Sequence, residues 1–137
     1  MLLNNLFESK SDATLADILE VFLPFVQKKL ELEGFPKIRL EKDIIDDKQP
    51  TFGKFVNEEH TIYLAINNRH PLDIIRTLAH ELVHFRQDLR GELDDFSGET
   101  GSPIENEANE LAGIVMREFN KANPNFLRAK PVQLPNE

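Results

Sequence analysis

The sequence contains no cysteine, and this absence restricts the kinds of site that the protein can form. Without thiols there is no disulfide framework, no cysteine zinc finger and no thiol nucleophile. A metal site would have to use His, Asp or Glu side chains. The absence of disulfides also favours a reducing compartment, and we expect a cytoplasmic protein.

Basic residues are scarce: 16 Lys and Arg stand against 24 Asp and Glu, which gives a formal charge of −8. Such a chain gains little from counterion release on a phosphate backbone, so we expect no strong nucleic-acid binding. Binding to an anionic membrane surface is disfavoured for the same reason. The sequence also has no apolar run long enough to span a bilayer and no signal-peptide pattern at its start, so we expect a soluble protein.

The 137 residues, 40% of them hydrophobic, are enough for one domain with a real core. Their pattern predicts an α+β fold in the order helix, small three-stranded sheet, helix, helix. The first helix is predicted over residues 14–33, with Ser11 or Asp12 as its cap and Gly34 at its end. Pro24 lies inside this pattern and should kink the helix or split it in two.

Three short stretches have the alternating or β-branched character of strands, namely residues 37–41, 51–56 and 61–66. The polar residues 57–60 between the last two predict a hairpin turn. Residues 46–50 are predicted to form a solvated loop.

Two further helices are predicted, each opening on a proline at the first helical position. One runs from Pro71 through Gln87 and the other from Pro103 through about Phe119, with a loop over residues 92–102 between them. The prolines that follow predict an extended tail. This gives a domain over residues 1–121 and a Pro-rich tail over residues 122–137.

The most informative segment is His80-Glu81-Leu82-Val83-His84, an HExxH sequence within the second predicted helix. Residues four apart share a helix face, so both imidazoles can converge on one metal ion at about 2.1 Å each. Glu81 lies about 100° further round, where it can act as general base on a water bound to that ion. Random placement would give about 0.012 occurrences of the motif in this chain. The alternative is an amphipathic helix that happens to carry two histidines.

A third ligand should come from the third predicted helix. Glu105 lies about 65° from the centre of its apolar face and Glu107 about 95° on the other side, whereas Glu110 points away. Small side chains at Ala108 and Ala112 allow another helix to approach closely. We select Glu105 as the third ligand and keep Glu107 as the alternative. All three glutamates could instead be solvated helix charges.

Asn109 lies one turn beyond Glu105 and is a candidate for orienting a ligand by a hydrogen bond. The HExxH sequence followed about twenty residues later by a helical glutamate resembles the gluzincin class of zinc metallopeptidases. Residues 105–112 (ENEANELA) are similar to the ExxANxxA pattern of the compact ImmA/IrrE-like peptidases. Residues 77–93 further resemble small metallopeptidases encoded by bacteriophages, whose location would be the host cytoplasm.

The resemblance implies a compact zincin-like domain that hydrolyses peptide bonds in a protein or peptide substrate. It implies Zn²⁺ held by His80, His84 and Glu105, with Glu81 as the catalytic base. Catalysis of this kind also needs a donor for the developing oxyanion, and the candidates are Tyr63, His60 and His70. We select Tyr63, because gluzincin-like enzymes bind extended substrate beside the corresponding strand.

Each of these three donors also has a structural interpretation. Tyr63 could be a half-buried strand residue, His60 a surface turn residue and His70 a helix cap. Two other functions also remain open. Zinc could clamp two helices in a non-enzymatic binding or assembly module, or the protein could be a SprT-like protease of DNA-bound proteins, which the charge of −8 disfavours.

Overall fold

The part of the chain that the computed structural model describes, residues 12–93 and 101–135, contains three α-helices and five short strands. The helices are α1 (Leu15–Leu30), α2 (Pro71–Leu89) and α3 (Pro103–Ala122), and a 3-10 helix (Pro124–Arg128) follows. The strands are β1 (Lys37–Glu41), β2 (Ile44–Asp46), β3 (Gln49–Thr51), β4 (Gly53–Val56) and β5 (Thr61–Ala65). This confirms the predicted α+β class with three helices and a small three-stranded sheet. The cap candidate Ser11 and most of the predicted loop 92–102 lie outside the described residues.

Helix α1 begins with a capping box at Thr14, which lies three residues after Ser11 and two after Asp12, the two predicted caps. The Thr14 hydroxyl accepts a hydrogen bond from the Asp17 N–H at 3.2 Å, and the Asp17 carboxylate accepts the Thr14 N–H at 2.9 Å. The helix ends at Leu30 rather than at residue 33, because Glu31 takes the left-handed conformation with φ of 56°. The predicted split at Pro24 does not occur. Pro24 is exposed to solvent, where water can bind the carbonyl that its missing N–H leaves free.

Strand β5 forms the centre of the three-stranded sheet, with β1 parallel on one side and β4 antiparallel on the other. Ile62 and Leu64 on one face of β5 are fully buried beneath the helices. The predicted turn at residues 57–60 is confirmed, and His60 closes it with a positive φ of 50°. Strand β5 ends at Ala65, and the short loop that follows leads directly into α2.

Residues 46–50 are exposed to solvent as predicted, but the predicted loop is wrong, because these residues form the turn and adjoining strand residues of a small antiparallel hairpin between β2 and β3. Asp47 and Lys48 occupy the turn with φ of 52° and 66°. Two positive φ angles are typical of the tight turns that match the twist of a hairpin, and glycine is usually one of the two residues. Asp-Lys lacks that glycine, so the hairpin was difficult to recognise from the residue pattern.

Helix α2 lies between the sheet on one side and helices α1 and α3 on the other. Its buried side chains therefore cover most of its circumference, and the remaining face carries His80 and His84. Across the other two helices, the rings of Phe22 and Phe119 meet edge to face with centroids 5.1 Å apart. Helix α2 therefore contacts both other helices and the strands β4 and β5.

The segment after α3 lies against the rest of the domain. Helix α3 continues to Ala122, three residues beyond its predicted end. The Val132 N–H donates to the Arg69 carbonyl at 2.8 Å, and the Asn68 N–H donates to the Val132 carbonyl at 2.8 Å. The C-terminal segment thus supports the loop that leads into α2. No helix among the described residues combines the length and apolar content needed to cross a lipid bilayer.

Candidate metal centre

The two histidines of the HExxH sequence meet on one face of α2. The helix begins at Pro71, and His70 caps it by accepting the Leu72 N–H on Nδ1 at 3.0 Å. From this start the helical register places His80 and His84 one turn apart, with ring centroids separated by 4.7 Å. Their Nε2 atoms lie 3.1 Å apart. The sequence-predicted pair therefore presents two nitrogen donors to one point in space.

Helix α3 supplies the carboxylate. Its first turn is fixed by Ser102, whose hydroxyl accepts the Glu105 N–H at 3.0 Å. Ala108 and Ala112 are buried, as expected for a close helix approach. Glu105 consequently reaches both imidazoles, with Oε1 2.8 Å from His80 Nε2 and Oε2 3.3 Å from His84 Nε2. The structure thus brings together the three residues that the sequence selected.

The spacing of these donors suits a small metal ion. Ligand atoms at about 2.0–2.1 Å from a tetrahedral zinc ion would lie about 3.3 Å from one another. The two histidine Nε2 atoms lie 3.1 Å apart, and each lies within 3.3 Å of one of the two Glu105 carboxylate oxygens. The group could therefore hold a metal ion, and among the described residues no fourth His, Asp or Glu joins it. Its side chains are 14% to 22% exposed, so the centre is within reach of solvent.

Gln87 determines which nitrogen of His84 faces the centre. The Gln87 Nε2 group donates to the Ile104 carbonyl at 3.1 Å and to Glu107 Oε1 at 2.7 Å. Because both partners are acceptors, the amide oxygen must be the atom that lies 2.8 Å from His84 Nδ1. The Nδ1 atom therefore carries a proton, and the neutral ring directs its Nε2 lone pair at the centre.

Glu107, the alternative third ligand, takes a supporting position instead. Its carboxylate binds the Gln87 amide, and the metal-ligand group contains Glu105. Sequence reasoning did not identify Gln87, which is 1% exposed. The available signal was its position three residues after His84, where an i,i+3 contact on the same helix face is possible.

His80 has a polar partner of its own. The Asn109 side chain forms a hydrogen bond with it, so the candidate orienting residue contacts a histidine ligand. Burial is the main influence on the ring and lowers the pKa of His80, while the Glu105 carboxylate acts in the opposite direction. The lowered pKa favours the neutral imidazole, which is the form that binds a metal.

Glu81 is buried beside the metal-ligand group, with 8% of its surface exposed. Burial is the main cause that raises the pKa of Glu81 to about 8. The nearby Glu105 carboxylate acts in the same direction, whereas a hydrogen bond from the Phe55 backbone N–H opposes the shift. The role of the Phe55 amide could not be predicted from the sequence, because almost every residue type has a backbone N–H. Strand β4 thus contributes a backbone donor to this carboxylate.

Gly53 allows β4 to come this close to α2. A Cβ atom at this position would lie 2.6 Å from Thr77 Cγ2 and 3.0 Å from the Tyr63 carbonyl oxygen. Any other residue type at this position would force the Thr77 side chain or the strand itself to shift. The approach of β4 to α2 is also what carries the Phe55 N–H to Glu81.

A cavity of about 300 Å³ opens beside His80 and Glu81. The β3–β4 segment around Phe52 forms one wall, Asn109 on α3 forms another, and Arg76 lies one helical turn before His80. The Phe52 carbonyl and ring are held by Arg69, whose guanidinium carbon lies 4.1 Å from the ring centroid. The candidate metal centre and Glu81 therefore border a space that can admit part of a ligand.

The three predicted oxyanion donors are not brought to this centre. Tyr63 alternates with the buried Ile62 and Leu64, and its hydroxyl donates to Glu59 in a different cavity. His60 lies in the exposed β4–β5 turn. His70 caps α2, the role that its alternative interpretation assigned. The strand-face alternation of β5 is the reason that Tyr63 points away, since its neighbours fill the helix-facing side.

Neither a scan of protein-family models nor searches of curated proteins and of solved structures finds a match for this chain.

Proposed function

We propose that the protein is a zinc-dependent peptidase that hydrolyses peptide bonds in a protein or peptide substrate. The observation that carries this proposal is the convergence of His80, His84 and Glu105 beside a buried Glu81 at the edge of a cavity. Two imidazoles and one carboxylate are a donor set that zinc accepts, and such three-residue sets leave room for solvent in catalytic sites.

A zinc ion at this centre would supply a Lewis acid that polarises a substrate carbonyl and acidifies water. In its ionised form, Glu81 would take a proton from the attacking water on a carboxylate oxygen. The positive charge of a bound zinc ion would favour that form, whereas burial favours the protonated form in the metal-free protein. As the water oxygen bonds to the carbonyl carbon and the C–N bond breaks, Glu81 returns that proton to the leaving amine nitrogen. The Phe55 N–H holds the carboxylate in position during both transfers.

Gln87 and Asn109 contribute by orienting the histidines. Because the Gln87 amide is itself fixed by Glu107 and the Ile104 carbonyl, His84 cannot turn its other nitrogen inward without breaking its hydrogen bond to Gln87. Fixed ligands keep the three donors at their mutual spacing before any ion binds.

The test is to separate metal binding from hydrolysis in two kinds of variant. Glu81→Gln should retain zinc, measured by elemental analysis, and lose cleavage of casein and of a peptide library. His80→Ala and His84→Ala should lose both properties. Glu110→Gln makes the same chemical change as Glu81→Gln at an exposed position of α3 and should change neither.

The main competing function is a non-enzymatic module in which zinc only joins α2 to α3. It would be favoured if wild-type protein binds zinc stoichiometrically but its peptide cleavage is no greater than that of Glu81→Gln.

A further inference from the structure

Arg76 differs from the other arginines near the candidate metal centre because the fold does not use it. Arg69 donates to the Ala65 carbonyl at 2.8 Å and to the Thr77 hydroxyl at 2.8 Å, among other acceptors. Arg86 donates to the Leu30 carbonyl at 3.1 Å. Arg76 is exposed, and within the described part of the chain no hydrogen bond or ion pair engages its guanidinium.

The position of Arg76 is not that of an ordinary surface charge. It lies four residues before His80 on α2, so the two side chains share a helix face. It borders the same cavity as His80 and Glu81, and it is the one Lys or Arg among the described residues that line this cavity. The chain as a whole has a formal charge of −8, so an unpaired positive charge beside this cavity is unusual for this protein.

We infer that Arg76 is a specificity-determining residue that binds a carboxylate of the peptide substrate beside the scissile bond. Guanidinium groups bind carboxylates through two parallel N–H···O bonds, and these charge-assisted bonds are stronger than neutral ones. The carboxylate could belong to an Asp or Glu side chain or to the C-terminus of the peptide. The inference rests on the proposed peptidase function and adds a substrate class to it.

The cavity favours a ligand carboxylate over an internal partner. Asp73 lies one turn before Arg76, yet the two side chains form no ion pair in the described structure, and the Asp73 carbonyl is engaged by Arg69 and Thr77. The other carboxylates of the site, Glu81 and Glu105, are held by Phe55 and by the histidines. A substrate carboxylate would therefore find Arg76 free to bind it.

The test compares Arg76→Ala with Arg117→Ala, which removes the same charge from an exposed position on α3 that borders none of these residues. Substrates are peptide pairs that differ only by Glu or Gln at each position flanking the cleaved bond, and pairs with a free or an amidated C-terminus. Wild type and Arg117→Ala should prefer one carboxylate-bearing member by about tenfold or more in kcat/KM. Arg76→Ala should lose that preference, and Arg76→Glu should reverse it towards Lys-containing peptides.

The two kinds of peptide pair distinguish the sources of the carboxylate. A preference confined to the Glu/Gln pairs indicates a side-chain carboxylate, and one confined to the free and amidated pairs indicates the peptide C-terminus. A preference that is absent from wild type, or that survives in Arg76→Ala, overturns the inference.

A binding measurement separates this inference from the proposed function. In the Glu81→Gln background, calorimetry should give a Kd about tenfold lower for the preferred carboxylate peptide than for its neutral partner, and adding Arg76→Ala should remove the difference. Equal Kd values in the first protein count against the inference. If the Kd difference depends on Arg76 but wild type cleaves nothing, the proposed hydrolysis fails and carboxylate recognition stands. If peptides are cleaved without any dependence on Arg76, only the inference fails.

Discussion

The amide oxygen of Gln87 lies 2.8 Å from Nδ1 of His84, and the opposite nitrogen of the ring faces His80 and Glu105. The orientation of the Gln87 amide is fixed, because its nitrogen donates hydrogen bonds to Glu107 and to the Ile104 carbonyl. The side chain is almost completely buried, so solvent does not compete for these hydrogen bonds. The binding-competent tautomer of His84 is therefore built into the interface between α2 and α3.

Replacing Gln87 should weaken metal binding without removing a ligand. We expect Gln87→Ala to lower zinc affinity by about 10- to 100-fold, because the His84 ring loses the group that fixes its tautomer and orientation. Competition with a chromogenic chelator measures the change. Gln133→Ala, a matched change at an exposed position, should leave the affinity unaltered. Equal affinities for Gln87→Ala and wild type would show that the contact does not orient His84.

Replacing Glu105 and replacing Glu107 should weaken zinc binding to different extents. Glu105→Gln removes a charged donor from the centre, whereas Glu107→Gln alters only the partner of Gln87. We expect Glu107→Gln to weaken zinc binding by about tenfold or less and Glu105→Gln to weaken it considerably more. Chelator competition on both variants gives the comparison. A greater loss in Glu107→Gln would mean that the third ligand has been assigned to the wrong residue.

The histidine pair, Glu81 and Glu105 could be selected from the sequence because helical periodicity alone decides which side chains share a face. The same periodicity could not predict the role of Glu107. It gives the angle at which a side chain leaves the helix, but it does not identify the group that the side chain binds. Gln87 and the Phe55 N–H depend on contacts between separate elements, which no local pattern encodes. Tyr63 was expected beside the metal centre but lies elsewhere. The sequence pattern identified the strand, but it did not show which of the two strand faces would pack against the helices. The Asp47–Lys48 turn lacked the glycine by which such turns are usually detected.

Gly53 should be intolerant of a side chain, and the cost should depend on Thr77. We expect Gly53→Ala to lower the free energy of unfolding by about 1–3 kcal/mol, because the new Cβ would lie 2.6 Å from Thr77 Cγ2. Thr77→Ser removes that methyl group while keeping the hydroxyl that accepts from Arg69. Chemical denaturation should therefore show a partial rescue in the double variant, since the contact with the Tyr63 carbonyl remains. Strictly additive losses would contradict this account of how β4 approaches α2.

The buried Glu81 should give the metal-free protein a distinctive dependence on pH. Its pKa is raised to about 8 in the folded protein from an ordinary value of 4.5, so the folded state keeps a proton that the unfolded state releases. This contribution to stability is complete below about pH 4.5 and is lost progressively as the pH rises towards 8, by at most about 1.4 kcal/mol per pH unit.

The Glu81→Gln variant cannot lose that proton and provides the comparison. Measured by denaturation of the metal-free proteins between pH 5 and pH 8, its free energy of unfolding relative to wild type should increase steadily with pH. His80 is present in both proteins, so the effect of its lowered pKa largely cancels from the difference. A difference that stays constant across this range would mean that Glu81 ionises in the folded protein as freely as in the unfolded chain, and that the carboxylate is not held in the dry, negatively charged surroundings described above.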